Sequence, residues 1–213
     1  MDAVKASAAS TSFFELFHIE PSVDPELPLL EATYYELSLK LHPDCNTGAD
    51  LKTRLHALEQ TTQLNEAYAT LLSPERRAFY LLKICGVDLD DKHSALPFTA
   101  QPPPAFLSYV LELREELHKA FSQRQADTLQ NLERLAKEAL QKELEEACRH
   151  LRSCLLHRAE LSRLQPQGGE AKASPSPATG AKELQQAAAH LLCVRYWQRF
   201  LKDAELFQEE LFS

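Results

Sequence analysis

The chain has 213 residues, 44% of them hydrophobic and 25% charged, an ordinary globular balance with room for one large or two small domains. Its formal net charge of −8 argues against a nucleic-acid role, which needs a concentrated basic surface. No apolar run approaches the roughly 18 residues of a membrane-crossing helix, so no membrane span is expected.

Only five glycines are present, while Leu, Ala, Glu and Gln, which favour helix, are abundant. The expected fold class is all-α. Residues 1–11 are small and polar and are expected to be disordered. They hold neither an apolar signal region nor the arginines of an organelle transit peptide, so a cytoplasmic location is the default and the mitochondrial matrix the less favoured alternative. A short aromatic helix is expected over Ser12 to Phe17, with Ser12 as N-cap. Pro21, Pro25 and Pro28 punctuate the entry to a second helix, from Leu27 or Leu29 to Leu41. Its buried stripe is Leu30, Tyr34, Leu37 and Leu41. The triplet His42-Pro43-Asp44 comes next. Proline lacks an N–H donor and disfavours helical angles in the residue before it, so His42 closes the helix and Asp44 sits in a loop. A third helix spans about Ala49 to Leu72, with Leu51, Leu55, Leu58, Thr62, Asn65, Tyr68 and Leu72 marking one face.

Ser73-Pro74 opens a fourth helix that stops at Gly86, a C-cap. Residues 87–104 carry Pro97, Pro102, Pro103 and Pro104 and read as a connector. Three more helices are expected, at about Pro104 to Ser122, Ala126 to Leu164 and Ala181 to Leu211. The middle one repeats Leu132, Ala136, Leu140, Leu144, Ala147 and Leu151 at heptad-like spacing. In the last, Leu184, Ala188, Leu191, Trp197, Leu201 and Ala204 point inward. Residues 165–180, rich in Pro, Gly, Ser and Ala, read as a flexible loop. Amphipathic stripes must find partners, so residues 105–213 form a three-helix bundle.

Taken alone, His42-Pro43-Asp44 is a helix stop, with Asp44 as a cap for the residues after it. Its position between two helices, with Asn65-Glu66-Ala67-Tyr68 near the end of the second, resembles the J domain of DnaJ-type co-chaperones. Phe14-Glu15-Leu16-Phe17, Arg77-Ala78-Phe79-Tyr80-Leu81-Leu82-Lys83-Ile84-Cys85-Gly86 and Leu111-Glu112-Leu113-Arg114-Glu115-Glu116-Leu117 narrow the resemblance to HscB-type co-chaperones of iron–sulfur cluster assembly. The resemblance implies a J domain over 12–86, an antiparallel helical hairpin with the triplet at its tip and short helices flanking it. His42, Pro43 and Asp44, with Lys40 beside them, would then dock on a DnaK/HscA-type ATPase and stimulate hydrolysis in that partner. Asp44 offers a charge-assisted acceptor, His42 titrates near neutrality, and the Pro43 ring limits the entropy lost on docking.

The chain departs from the usual J domain in charge. Its second helix has Lys40 as its one basic residue, and residues 1–85 hold twelve acidic and seven basic side chains. Electrostatic steering toward the ATPase should be weak, with Arg54, Arg76 and Arg77 compensating in part.

In the second domain, Leu107, Leu111 and Glu115 are successive fours on one helix, with Ser108 and Glu112 alongside. The pattern reads either as bundle core with a solvated flank or as an apolar stripe edged by carboxylates. The resemblance implies the second: Leu107, Leu111, Glu112, Glu115 and Tyr196 would bind an IscU-type scaffold. Ser108 stands where relatives often carry a larger apolar side chain. The implied function is delivery of that scaffold to the ATPase, raising its effective concentration there. A general J-domain co-chaperone with other clients is the alternative. No enzyme activity, cofactor or metal is expected. The five cysteines form no Cys-x-x-Cys pair and read as reduced, mostly part-buried thiols, and the eight histidines lack metal-ligand spacing. The cysteine-rich zinc segment of some eukaryotic relatives is missing, which favours the bacterial layout.

Overall fold

The computed structural model describes residues 12–41, 51–90, 100–164 and 179–212. Every regular element among them is helical, and the fold class is all-α. In chain order the helices are α1 (Phe13–Leu16), α2 (Leu27–Leu41), α3 (Leu51–Leu72), α4 (Pro74–Ile84), α5 (Pro104–Ser122), α6 (Ala126–Leu164) and α7 (Thr179–Phe212). The chain divides into two compact units between Tyr80 and Leu81, inside α4. The segment 1–11, residues 91–99 of the connector and residues 165–178 of the expected loop lie outside the described residues, whereas Thr179 and Gly180 already belong to α7.

In the first unit α3 packs against both α1 and α2. Glu15 accepts a hydrogen bond from the Ser12 N–H at 2.9 Å, the reciprocal half of a capping box that lets the four-residue α1 start. The Tyr80 hydroxyl accepts from the Phe13 N–H at 2.8 Å, and the two rings stack with centroids 4.4 Å apart. Phe14, Phe17, Val23, Leu30, Leu64, Ala67 and Leu71 are buried around this point. On α2 only Leu30 of the expected stripe is fully buried; Tyr34, Leu37 and Leu41 are half-buried. Tyr34 stacks on Tyr68 at 4.1 Å and donates from its hydroxyl to Asn65 Oδ1 at 2.9 Å, joining α2 to α3.

Two features of this unit differ from expectation. The α3 face marked by Leu55, Leu58, Thr62, Asn65 and Leu72 is exposed, Leu58 to 63%, and Tyr68 is half-buried. The buried line is Ala57, Leu64, Ala67 and Leu71, where small alanines allow close helix approach without announcing a hydrophobic stripe. Arg77 is buried at 7% exposure rather than free to steer a partner. Its Nε donates to the Val23 carbonyl at 2.8 Å and its Nη1 to the Leu71 carbonyl. The guanidinium thereby satisfies a loop carbonyl before α2 and one at the C-terminus of α3, where carbonyls otherwise lack partners.

α4 begins as expected, with the Arg76 N–H donating to Ser73 Oγ at 3.4 Å. It ends with Gly86 at φ +98, while the Val87 N–H returns to the Leu82 carbonyl at 3.1 Å. That is the left-handed cap for which glycine is favoured.

In the second unit α6 and α7 share the most extensive pairing of the molecule, and α5 packs on both. The whole expected α6 stripe, Leu132 to Leu151, is buried. On α7, Ala188, Leu191, Trp197 and Ala204 are buried, and Leu184 and Leu201 are half-buried. Polar links cross the seam where it reaches solvent. His150 Nδ1 lies 2.7 Å from Glu183 Oε2, His190 Nδ1 lies 2.6 Å from Glu143 Oε2, and the two imidazoles stack with centroids 5.7 Å apart.

Candidate functional site

The triplet His42-Pro43-Asp44 lies outside the described residues, as does Cys45. The structure describes the helices that flank it. α2 ends at Leu41, and α3 is described from Leu51. The Thr61 hydroxyl on α3 donates to the Ala57 carbonyl at 2.8 Å and lies 3.3 Å from the Leu41 carbonyl of α2, immediately before the triplet. Lys40 is exposed and its Nζ lies 2.6 Å from Glu36 Oε1, one turn back. That hydrogen bond first, and the charge of Lys40 second, hold the Glu36 carboxyl below the usual carboxylate range. The one basic residue of α2 is thus neutralised locally. The spacing i, i+4 was visible in the sequence and would have given the pair. Tyr35 and Leu39 beside it are 61% and 72% exposed, so α2 presents apolar surface to solvent.

On α5 the periodicity resolves into two faces. Val110, Leu113, Leu117 and Ala120 are buried. Leu107 and Leu111 are 38% and 60% exposed, and Ser108, Glu112 and Glu115 are exposed with them. A helix places 107, 111 and 115 on one ridge and 108 and 112 on the next. The result is an apolar stripe with carboxylates on its border, all on a helix fixed from behind. Tyr196 of α7 is half-buried, and its ring meets the edge of Phe106, the residue before Leu107, at 6.0 Å. Phe106 and Tyr109 in turn stand edge-on to the buried Trp197 at 5.7 and 6.2 Å, an aromatic cluster that locks the first turn of α5 to α7. Arg114 pairs with Asp203 at 2.7 Å and ties the next part of α5 to α7. Sequence reading missed this use of Arg114, since its partner is 89 positions away.

Among the described residues no group of three or more His, Cys, Asp or Glu is placed to hold a metal ion. No described helix is long and apolar enough to cross a membrane.

Two family models match the chain: the DnaJ domain over residues 12–80 and the HSCB C-terminal oligomerisation domain over residues 102–205. The chain is 36% identical over 124 residues to a co-chaperone protein HscB homolog of Neisseria meningitidis, covering 58% of this chain and 71% of the relative. It is 37% identical over 106 residues to a co-chaperone protein HscB homolog of Vibrio cholerae, covering 50% of this chain and 59% of that relative. In fold it is similar to the chaperone HscB from Vibrio cholerae, with TM-score 0.63 and 24% identity over 94% of this chain and 99% of the other. It is also similar to the human co-chaperone protein HscB, with TM-score 0.65 and 19% identity over 96% and 85%.

Proposed function

The chain belongs to the HscB family of co-chaperones, and from that premise we propose that it is a non-enzymatic adaptor of iron–sulfur cluster assembly in the cytoplasm. Residues 12–86 serve as the J domain and residues 105–213 as the scaffold-binding bundle, joined by 87–104. His42, Pro43 and Asp44, with Lys40 close by, engage a DnaK/HscA-type ATPase and stimulate its hydrolysis. Leu107, Leu111, Glu112, Glu115 and Tyr196 hold an IscU-type scaffold.

The observation that carries this reading is the outward side of α5. Two leucines stand exposed beside Glu112 and Glu115 on a helix whose opposite side already supplies its share of the core. Leu111 in particular, 60% exposed, adds little to the core, and burial of such a side chain inside a rim of carboxylates suits an interface hot spot. Docking on the ATPase leans less on charge steering than in relatives with a basic second helix, because Lys40 is already paired with Glu36.

The test is ATPase stimulation of a DnaK/HscA-type chaperone, with and without an IscU-type scaffold, using the wild type, His42→Gln and Leu111→Ala. Synergy with the scaffold that disappears in either variant is the expected result. Stimulation indifferent to the scaffold would overturn the adaptor reading in favour of a general co-chaperone.

A further inference from the structure

α5 and α7 lie side by side, tied by rungs that come in the same order on both helices. The Phe106 ring meets the edge of Tyr196 with centroids 6.0 Å apart, Arg114 Nη2 lies 2.7 Å from Asp203 Oδ2, and the His118 ring meets Phe207 at 5.0 Å. Successive rungs are eight and four residues apart on α5, and seven and four on α7. The helices are therefore parallel and rise at the same pace. Two ridges line the seam between them. On α5 the ridge is Leu107, Leu111, Arg114 and His118; on α7 it is Tyr196, Arg199, Asp203 and Phe207, each advancing by three or four residues. From the Phe106 rung to the Arg114 rung, a stretch of about 12 Å, both ridges carry exposed side chains: Leu107 and Leu111 on one, and Arg199, at the level of Leu111, on the other.

Charge is sorted across this stretch. Glu112 and Glu115 border the leucines on the side of α5 turned away from α7. On the α7 side, Arg195 forks onto Asp90 at 2.9 Å and Arg114 is matched by Asp203. Arg199 is exposed and has no ion pair among the described residues. The order across the seam is guanidinium, tyrosine ring, leucines, carboxylates.

Resting on the scaffold-binding reading of α5, we propose that Arg199 is a further contact residue of that surface and fixes the direction in which the scaffold docks. The bound segment of an IscU-type scaffold offers apolar side chains to Leu107, Leu111 and Tyr196, a basic side chain to Glu112 and Glu115, and a carboxylate to Arg199. A guanidinium takes a carboxylate through two parallel N–H donors, a geometry that the apolar stripe cannot supply. Apolar contact is non-directional and would accept the segment either way round. Turned by half a revolution, the segment would set acid against Glu112 and base against Arg199, and such like-charge contacts suppress the wrong arrangement.

The experiment measures binding of an IscU-type scaffold to the full chain by isothermal titration calorimetry, for the wild type, Leu111→Ala, Arg199→Glu and Arg199→Lys. Arg199→Glu should weaken binding roughly tenfold, and less at high salt, while Arg199→Lys should stay within about twofold of the wild type. Both Arg199 variants should keep the wild-type Tm, because the side chain lies outside the core. Carbodiimide coupling then locates the contact. In Arg199→Lys the introduced amine should link to a scaffold Asp or Glu, while Glu112 or Glu115 links to a scaffold Lys, both read as cross-linked peptides by mass spectrometry. Binding that falls in Leu111→Ala and holds in Arg199→Glu overturns the proposal and leaves the adaptor reading standing, as does a complex with no link from position 199. Equal binding by every variant, or none by the wild type, removes the scaffold-binding reading itself and the proposal with it.

Discussion

The outer side of α5 and the outer side of the α2–α3 hairpin both expose large apolar side chains, but on different foundations. α5 is held by four buried residues, an aromatic cluster at its start and the Arg114–Asp203 pair. Its exposed leucines lie together on one stripe. α2 buries Leu30 fully and leaves Tyr34, Leu37 and Leu41 half-covered, while Tyr35 and Leu39, with Leu55 and Leu58 of α3, face solvent. A leucine on an anchored helix is surplus to folding and can be changed for its effect on binding alone. A leucine on a thinly anchored helix shares its apolar surface between core and solvent, and its roles are harder to part.

The largest effect should separate the two faces of α5. Leu117→Ala, at a side chain with 0% exposure, should cost about 3 kcal/mol of stability. Leu111→Ala should stay within about 0.5 kcal/mol. Equilibrium urea unfolding of both variants measures the difference, and equal losses would remove the argument that Leu111 is free for a partner. Next is the first unit. Arg77→Met keeps the aliphatic stem and strands the carbonyls of Val23 and Leu71, so it should cost about 2 kcal/mol. Hydrogen exchange should find the loss in α1 to α3 while α6 and α7 keep their protection. Gly86→Ala places a Cβ on a residue at φ +98 and should cost about 1 kcal/mol, read as a lower Tm.

The smallest effect concerns Glu36. Its folded pKa is depressed by Lys40, so the pair's contribution is complete above the ordinary carboxylate value and is lost as pH falls through the lower folded one. A carbon-13 NMR titration should show the Glu36 midpoint rising in Lys40→Ala. An unmoved midpoint would mean that Lys40 is not its partner in solution, and would leave Lys40 as a free charge on α2.

The helices themselves were legible because their signals are local. Ser12, Pro74 and Gly86 act within one turn, and the α6 stripe repeats often enough to fix its buried side unaided. α3 misled for a physical reason. Leu55 and Leu58 carry the loudest apolar signal, yet the buried line of α3 runs through Ala57 and Ala67. Arg77 looked like a surface charge, because its acceptor at Val23 lies 54 positions away and nothing in the local pattern announces it. On α5 the sequence narrowed Leu107 and Leu111 to two alternatives, and only the burial of Val110, Leu113 and Leu117 decided between core and surface.

Trp197 is the chain's single tryptophan, 2% exposed, with an indole N–H that has no hydrogen-bond partner among the described residues. An indole in such dry, aromatic surroundings emits at short wavelength, and Tyr109 at 6.2 Å feeds it excitation energy. The first unit supplies tyrosines but no tryptophan. Excitation at the red edge of indole absorption therefore watches the α5–α7 bundle alone. The protein carries its own optical gauge, one that registers changes around the start of α5 and stays silent about the first unit.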